Sequence, residues 1–85
     1  MKHRELTRMD KRLISEAIQN EYVKVKRRRL SERYIFEEIR RDMNITKSEY
    51  ETVLDFMEKT GKIRKDGSVS ASGFNNIKER MYRLT

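Results

Sequence analysis

Residues 45–61, ITKSEYETVLDFMEKTG, carry both the start signal and the stop signal of one helix. Thr46 is a favourable N-cap, and Glu49 three residues later completes a capping box, in which each side chain accepts from the other residue's backbone N–H. Gly61 can adopt the positive φ that commonly ends a helix. The apolar positions recur at spacings of three and four, and they are Tyr50, Val53, Leu54 and Met57. We therefore predict a helix that begins at Lys47 and buries this stripe.

Two further helices are predicted before this one. The first covers about residues 5–21, because its apolar side chains also recur at spacings of three and four. They are Leu6, Met9, Leu13, Ile14, Ala17 and Ile18. Val23 and Val25 alternate with lysines, which favours a short extended stretch after this helix. Ser31 can cap a second helix over about residues 32–43, and Asn44 is placed to end it in the left-handed conformation.

Strand spacing replaces helical spacing in residues 62–70, KIRKDGSVS. A two-residue turn at 66–67 would place Ile63 and Val69 on opposite faces of a hairpin. A three-residue loop at 65–67, with its glycine left-handed, would instead pair Ile63 with Val69. We favour this second hairpin because it puts both apolar side chains on one face.

A last helix is predicted after the hairpin, over about residues 73–84. Ser70 or Ser72 would cap it. Its apolar positions recur at spacings of three and four, and they are Phe74, Ile77, Met81 and Leu84.

Composition and charge limit what the chain can be. With 85 residues, 35% hydrophobic and 41% charged, it can form a single small domain over residues 1–85 without a deep pocket. The absence of cysteine excludes disulfides, and no apolar run approaches the roughly 18 residues that span a bilayer, so we expect a cytoplasmic protein. The 21 Lys and Arg against 14 Asp and Glu give a net charge of +7. Such an excess is typical of proteins that bind polyanions, although it also fits a solubilising surface.

Catalytic chemistry lacks the residues that it needs. His3 is the only histidine, and the sequence contains neither cysteine nor a glycine-rich phosphate loop. Glu37 and Glu38 are adjacent on a predicted helix, so they do not share a face. We therefore expect neither an enzyme nor a bound metal or cofactor.

The order of the predicted elements resembles the winged helix-turn-helix superfamily. Residues 34–63, YIFEEIRRDMNITKSEYETVLDFMEKTGKI, have the layout of a positioning helix, a turn and a recognition helix, and IRKDGSV stands where the wing should be. VSASGFNNIKERM resembles the segment after the wing in small bacterial and archaeal regulators. The resemblance implies an α+β, mostly α fold with a three-helix core, a β-hairpin wing and a C-terminal helix. It also implies a transcriptional regulator that binds double-stranded DNA, with the third helix in the major groove.

Phosphate contacts would then come from the basic residues of the 24–33 segment, the second helix and the predicted wing. The candidates are Arg27, Arg28, Arg29, Arg40, Arg41, Lys62, Arg64 and Lys65. The third helix adds Lys47, Ser48, Thr52 and Lys59, whose side chains can donate to bases or phosphates. Two alternatives stay open: the arginine run could be a solvated connection, and Arg40 and Arg41 could pair with Glu37 and Glu38.

The third helix also carries an unfavourable charge for DNA. It contains four acidic and two basic residues, a net charge of −2, which a duplex repels. The same face could therefore dock a basic protein surface through Glu51 and Asp55, which makes a protein-interaction module the alternative function. In regulators of similar layout the terminal helices meet across a two-fold axis, so residues 5–21 and 73–84 are candidates for a homodimer contact. In a monomer the same stripes would close the core.

Overall fold

Three helices and three strands make up the part of the chain that the structure describes. This computed structural model describes residues 6–70 and 78–85. The helices are α1 (Arg8–Val25), α2 (Glu32–Ile39) and α3 (Lys47–Lys59), and the strands are β1 (Arg29–Ser31), β2 (Ile63–Ser70) and β3 (Lys78–Leu84). The strands form one antiparallel sheet in the order β1-β3-β2, so the last strand of the sequence lies in the middle. The predicted α+β class is confirmed.

The start and the end predicted for the third helix are confirmed in α3. The Thr46 hydroxyl accepts from the Glu49 N–H at 3.1 Å, and the Glu49 carboxylate accepts from the Thr46 N–H at 2.9 Å. The helix begins at Lys47 and ends at Lys59, and Gly61 has a φ of +77°. The four residues of the predicted stripe are all buried: Tyr50, Val53, Leu54 and Met57.

The first helix begins later and ends later than predicted. Thr7 forms a capping box with Asp10, whose N–H donates to the Thr7 hydroxyl at 3.0 Å, so α1 starts at Arg8. The predicted extended stretch at 23–25 is wrong, because these residues form the last turn of α1. Lys26 then ends the helix in the left-handed conformation, with a φ of 56°. Two valines have only a weak preference for a strand, and here the helix continues through them to its cap at Lys26.

Only part of the predicted stripe on the first helix faces the core. Ile14 and Ile18 are 2% and 0% exposed, and Tyr22 extends the same face by one more turn. Met9 and Leu13 are 60% and 48% exposed, so the prediction that they lie in the core is wrong. The buried residues are four positions apart, and this spacing turns their face of the helix away from Met9 and Leu13.

The second helix is shorter than predicted. Ser31 caps it as expected and accepts from the Tyr34 N–H at 3.0 Å. The helix ends at Ile39, four residues before the predicted end. Asn44 does not adopt the left-handed conformation, because among the described non-glycine residues only Lys26 has a positive φ. The chain between Ile39 and α3 instead forms a turn.

The predicted tight turn at 65–67 is wrong, because β2 runs through these residues and continues to residue 70. Ile63 pairs with Leu84 of β3 rather than with Val69. The pairing register shifts across the predicted turn, which marks a β-bulge. Gly67 is left-handed as expected, with a φ of +72°, but it serves this bulge.

The predicted last helix is wrong for residues 78–84, which form β3. Met81 and Leu84 fit helical spacing, but the segment KERMYRL fits alternation equally well, and so short a pattern does not separate the two. Hydrogen bonding to β1 on one side and to β2 on the other decides in favour of a strand. The remaining residues assigned to that helix, with Phe74 and Ile77, lie outside the described residues.

One face of the sheet packs on the helices, and the other face is exposed. Leu30 pairs with Tyr82, and both are buried, as is Ile63 at the start of β2. On this side α2 packs against β3 and α3 packs against β2, while α1 packs against both helices. Because successive residues of a strand point to opposite faces, Arg29 and Arg83 project from the exposed face.

Two buried tyrosines connect the helices to the rest of the core. The Tyr22 hydroxyl donates to the Tyr82 carbonyl at 2.8 Å, and the Tyr50 hydroxyl donates to the Glu32 carbonyl at 2.7 Å. Burial raises the pKa of both Tyr22 and Tyr50, so both remain protonated donors. The core consists of Ile14, Ile18, Tyr22, Leu30, Ile35, Ile39, Tyr50, Val53, Leu54, Met57, Ile63 and Tyr82.

Candidate nucleic-acid interface

Three arginines lie side by side across the exposed face of the sheet. Arg83 of the central strand pairs with Arg29 of β1 on one side and with Arg64 of β2 on the other. We call these three residues the arginine row. Because neighbouring strands lie about 4.8 Å apart, the row spans about 10 Å. Like charges directly opposite each other are destabilising, so such a row needs a compensating group.

Asp66 supplies that group. Its carboxylate Oδ2 accepts from Arg83 Nε at 2.9 Å and lies 3.4 Å from Arg29 Nε. The bulge in β2 leaves the Asp66 carbonyl free of the strand ladder, and Arg29 Nε and Nη2 donate to it at 3.2 and 2.9 Å. A Cβ on Gly67 would only touch Arg29 Nη2, at 3.4 Å, so what favours glycine at this position is its positive φ.

The Asp66 carboxylate is ionised in this setting. The hydrogen bond from Arg83 holds the pKa of Asp66 below its ordinary value, and the charges of Arg83, Arg29 and Arg64 act in the same direction. The side chains of Arg29 and Arg83 are 38% and 37% exposed. The row and its carboxylate therefore present three positive charges and one negative charge at the surface.

The arginine run before β1 adds to this surface. Arg27 lines a cleft with Arg29 and Met81 at the edge of the sheet. Arg28 is exposed in the same turn, and its carbonyl accepts from the Leu84 N–H at 3.0 Å. Neither Arg27 nor Arg28 forms an ion pair with a described residue.

We define the basic sheet face as Arg27 together with the arginine row. Apart from Asp66, its described strands place one other acid on this side, Glu79, which is half-buried and four residues from Arg83 along β3. Four cations against two acids leave this face basic.

A second basic group lies where α2, α3 and β3 meet. The predicted residues Arg40 and Lys47 line a groove there together with Lys78 and Arg80. The Arg40 guanidinium lies 5.6 Å from the centre of the Phe36 ring, a cation–π contact. None of these four cations forms an ion pair with a described residue. The groove also contains Arg33 and the acids Glu32, Glu37 and Glu79, so its five cations outnumber its three acids.

The outward face of α3 is acidic, and its polar groups bond to one another. Lys59 Nζ lies 3.1 Å from Asp55 Oδ2, and the Thr52 hydroxyl donates to the Ser48 carbonyl at 3.0 Å. A groove beside this face is lined by the acids Glu32, Glu51, Asp55 and Glu58 and by the cations Lys65 and Arg80. Since its carboxylates outnumber its cations, this groove repels a duplex.

The residues predicted for the wing do not lie at a hairpin tip. Arg64 and Lys65 are the second and third residues of β2, so neither lies at the turn that the predicted wing places at residues 65–67. They also point to opposite faces, and Lys65 Nζ lies 4.0 Å from Glu58 of α3. Lys62 lies before the strand and lines a separate groove with Phe56 between α1 and α3.

Surface ion pairs occupy two other arginines near α2. Arg41 lies 3.6 Å from Glu38, which confirms the alternative that these two residues pair. Glu37 pairs with Arg33 at 3.2 Å and not with Arg40. Exposed pairs of this kind contribute little to stability, and they remove Arg33 and Arg41 from the set of uncompensated cations.

The sequence does not indicate the three cations of β3 or the acid that contacts the arginine row: Lys78, Arg80, Arg83 and Asp66. Helical spacing predicts a helix for the first three, and the residue types at 66–67 predict a turn. Alternation within KERMYRL places Arg83 on the side opposite the buried Tyr82, which is the one local sign of its role. The pairing with Arg29 and Arg64 joins distant segments, so no local pattern indicates it.

No protein-family model matches this chain, and neither a curated protein nor a solved structure matches it. Within residues 6–70 and 78–85, no helix combines the length and the apolar character needed to cross a membrane. In the same residues, no three His, Cys, Asp or Glu side chains are grouped so that they could hold a metal ion.

Proposed function

We propose that this chain is a small transcriptional regulator of the winged-helix type that binds double-stranded DNA in the cytoplasm, without catalysis or a cofactor. The observation that carries the proposal is the basic sheet face, an exposed surface with four arginines. Cations that neutralise DNA phosphates release condensed counterions, and this release supplies essentially all of the non-specific affinity for a duplex. Such a surface binds any sequence, so base readout would be a separate step.

The groove at α2, α3 and β3 supports a second phosphate contact. Lys47 is the first residue of α3, where the positive end of the helix dipole adds to its charge. Arg40, Lys78 and Arg80 lie beside it. Glu79 lines both this groove and the cleft of the sheet face, so the two basic surfaces adjoin. Under this proposal the first turn of α3 approaches the duplex, and its acidic middle does not.

The order of elements supports the winged-helix part of the proposal. Two consecutive helices, α2 and α3, are joined by a short turn, and the strands β2 and β3 follow as an antiparallel pair. Two consecutive helices joined by a short turn are what a helix-turn-helix requires. An antiparallel pair of strands after them is what a wing requires.

The test is fluorescence anisotropy of a labelled mixed-sequence duplex, titrated at several salt concentrations. We expect binding whose logarithm falls linearly with the logarithm of salt. In the Arg27→Ala/Arg64→Ala variant the slope should be shallower by about 1.8, since each lost phosphate contact removes about 0.9. The control is Arg12→Ala/Arg41→Ala, which removes the same charge from two arginines that already pair with glutamates at 3.4 and 3.6 Å.

Two results would contradict the proposal. One is the absence of binding at low salt. The other is an equal change of slope in both double variants, because net charge alone would then explain the affinity.

The acidic groove beside α3 favours a second candidate function, the docking of a basic protein segment. Its four carboxylates face two cations, and Glu51 and Asp55 are exposed. A labelled peptide rich in lysine should then bind the wild type, and the Glu51→Lys/Asp55→Lys variant should lose this binding. The same variant should keep or strengthen DNA binding if DNA is the ligand, so one pair of titrations separates the two candidates.

We also propose a homodimer, formed through α1 alone. Met9 and Leu13 are exposed on α1, as a contact between two first helices requires. The other predicted contact included residues 78–84, and these form the central strand of the sheet, so they cannot act as a dimerising helix. Sedimentation of wild type and Met9→Lys/Leu13→Lys would test the contact that remains.

A further inference from the structure

Asp66 is an acid in the middle of a surface that we assign to DNA. A carboxylate in this place repels phosphates, and a surface selected only for positive charge would not contain it. Its contacts indicate another role. Its carboxylate accepts a hydrogen bond from Arg83, and its carbonyl accepts two from Arg29, so both groups hold arginines of the row.

The contacts to Asp66 leave most guanidinium donors unused. Arg83 donates through Nε alone, so neither of its Nη atoms has a partner among the described residues. Arg29 uses Nε and Nη2, and its Nη1 is likewise without a partner there. Both side chains are more than one third exposed, so these donors are accessible to a ligand.

Free guanidinium donors held on adjacent strands suit one class of ligand. A phosphate presents several oxygens and binds an arginine fork through two parallel hydrogen bonds. An arginine side chain that moves freely at the protein surface must become ordered when it binds a ligand, and this loss of entropy weakens the complex. Arg29 and Arg83 are already ordered by Asp66, so that cost is reduced.

We propose that Asp66 is a positioning residue that holds Arg29 and Arg83 as a clamp for a backbone phosphate of DNA. This inference rests on the proposed function and adds to it the place where one phosphate binds. It has an unusual consequence: neutralising the acid makes the protein more positive and yet weakens its binding to DNA. A simple charge effect has the opposite sign.

The experiment compares two variants that raise the net charge by the same amount. Asp66→Asn removes the carboxylate of the clamp, and Asp55→Asn removes a carboxylate that pairs with Lys59 on α3. Anisotropy with the labelled duplex at several salt concentrations should show about fivefold weaker binding for Asp66→Asn, because a charge-assisted hydrogen bond is about twice as strong as a neutral one. Asp55→Asn should bind as tightly as wild type or more tightly. The salt slope of Asp66→Asn should stay near the wild-type value, because both arginines remain charged.

A second pair of variants tests the fork and does not alter the carboxylate. Arg83→Lys keeps the charge and loses the parallel donors, so it should weaken binding by about fivefold with an unchanged salt slope. Arg41→Lys is the control, because Arg41 pairs with Glu38 away from the sheet. It should bind DNA like wild type. Thermal unfolding of each variant shows whether it is folded during the titration, and Arg83→Lys carries the test if Asp66→Asn is unfolded.

The outcomes separate this inference from the proposed function. If wild type binds and Asp66→Asn binds more tightly, as Asp55→Asn does, the clamp is wrong and DNA binding stands. The clamp is also wrong if Arg83→Lys binds like wild type. If wild type does not bind DNA at low salt, the proposed function fails and the clamp fails with it. Weaker binding by Asp66→Asn and Arg83→Lys, with both controls unchanged, supports the clamp.

Discussion

The exposed face of the sheet and the outward face of α3 handle charge in opposite ways. On α3 the cation of Lys59 is paired with Asp55, four residues away on the same helix, at 3.1 Å. On the sheet, Arg29 and Arg83 share the single carboxylate of Asp66, and Arg64 beside Arg83 forms no ion pair with a described residue. The helix face is therefore compensated or acidic, whereas the sheet face keeps an excess of positive charge.

This difference shows how position in the fold decides what a charge can do. Pairs four residues apart form on almost any helix surface and contribute little beyond solubility. Cations on adjacent strands are brought together only by the sheet, and their repulsion must be offset. Under the proposed function, bound phosphates would reduce this repulsion, because their charge has the opposite sign.

The largest expected effect is a loss of DNA affinity when one charge of the arginine row is reversed, compared with the same reversal on α3. Arg64→Glu removes a cation of the arginine row and puts a second carboxylate beside Arg83. We expect about thirtyfold weaker binding to duplex DNA, equal to about 2 kcal/mol. Lys59→Glu makes the same change of charge on α3 and should weaken binding by about twofold. Equal losses in the two variants would remove the distinction between the faces.

A smaller effect, on the free energy of unfolding, is expected when either of two tyrosine hydrogen bonds behind these faces is removed. Tyr22→Phe leaves the Tyr82 carbonyl of the sheet without this donor, and Tyr50→Phe does the same to the Glu32 carbonyl beside α3. Tyr22→Phe should lower the free energy of unfolding by about 1–2 kcal/mol, because a buried acceptor loses its partner, and Tyr50→Phe by about 1 kcal/mol, because its acceptor is only partly buried. Urea unfolding measures both. An effect in Tyr50→Phe alone would mean that the sheet is held mainly by apolar packing.

Glu21 offers a third environment for an acid, on neither face. It is 7% exposed, and its Oε1 is a buried atom without a hydrogen-bond partner among the described residues. Glu21→Met removes this polar group and keeps good helix propensity and similar size. We expect the free energy of unfolding to rise by about 1 kcal/mol, or the melting temperature by about 4–8 °C. Glu16→Met is the control on the exposed side of α1 and should change stability little; a lower melting temperature for Glu21→Met would contradict the prediction.

The two faces also differ in how much of them could be predicted from sequence. The signals of α3 are local: Thr46 and Glu49 mark its start, Gly61 marks its end, and its acids follow from counting residues. Those predictions are confirmed. The ion pair between Arg41 and Glu38 was one of two local alternatives, and it is present.

The sheet could not be predicted in the same way, because its strands are defined by distant partners. Residues 78–84 satisfy both helical and strand spacing, and only pairing with β1 and β2 makes them a strand. Asp66 and Gly67 look like a hairpin turn from their residue types, but the pairing of β2 with β3 continues past them. Their charge alone makes Arg29 and Arg64 candidates, whereas their common partner Arg83 lies in a segment whose spacing also predicts a helix.

The smallest expected effect is a dependence of stability on pH that belongs to the sheet face alone. The hydrogen bond from Arg83 lowers the pKa of Asp66 in the folded protein. A carboxyl with a lowered folded-state pKa stabilises the fold at pH values above its ordinary pKa, and this contribution is lost as the pH falls through the folded-state pKa. Asp66→Asn should therefore melt below wild type at neutral pH, and the difference should vanish in acid. The effect is small because the Asp66 side chain is 33% exposed, so solvent screens the pair. Thermal unfolding of wild type, Asp66→Asn and the control Asp55→Asn, from neutral pH down to acid, measures this difference in stability. If the difference between wild type and Asp66→Asn grew in acid, Asp66 would not be held ionised by the arginines.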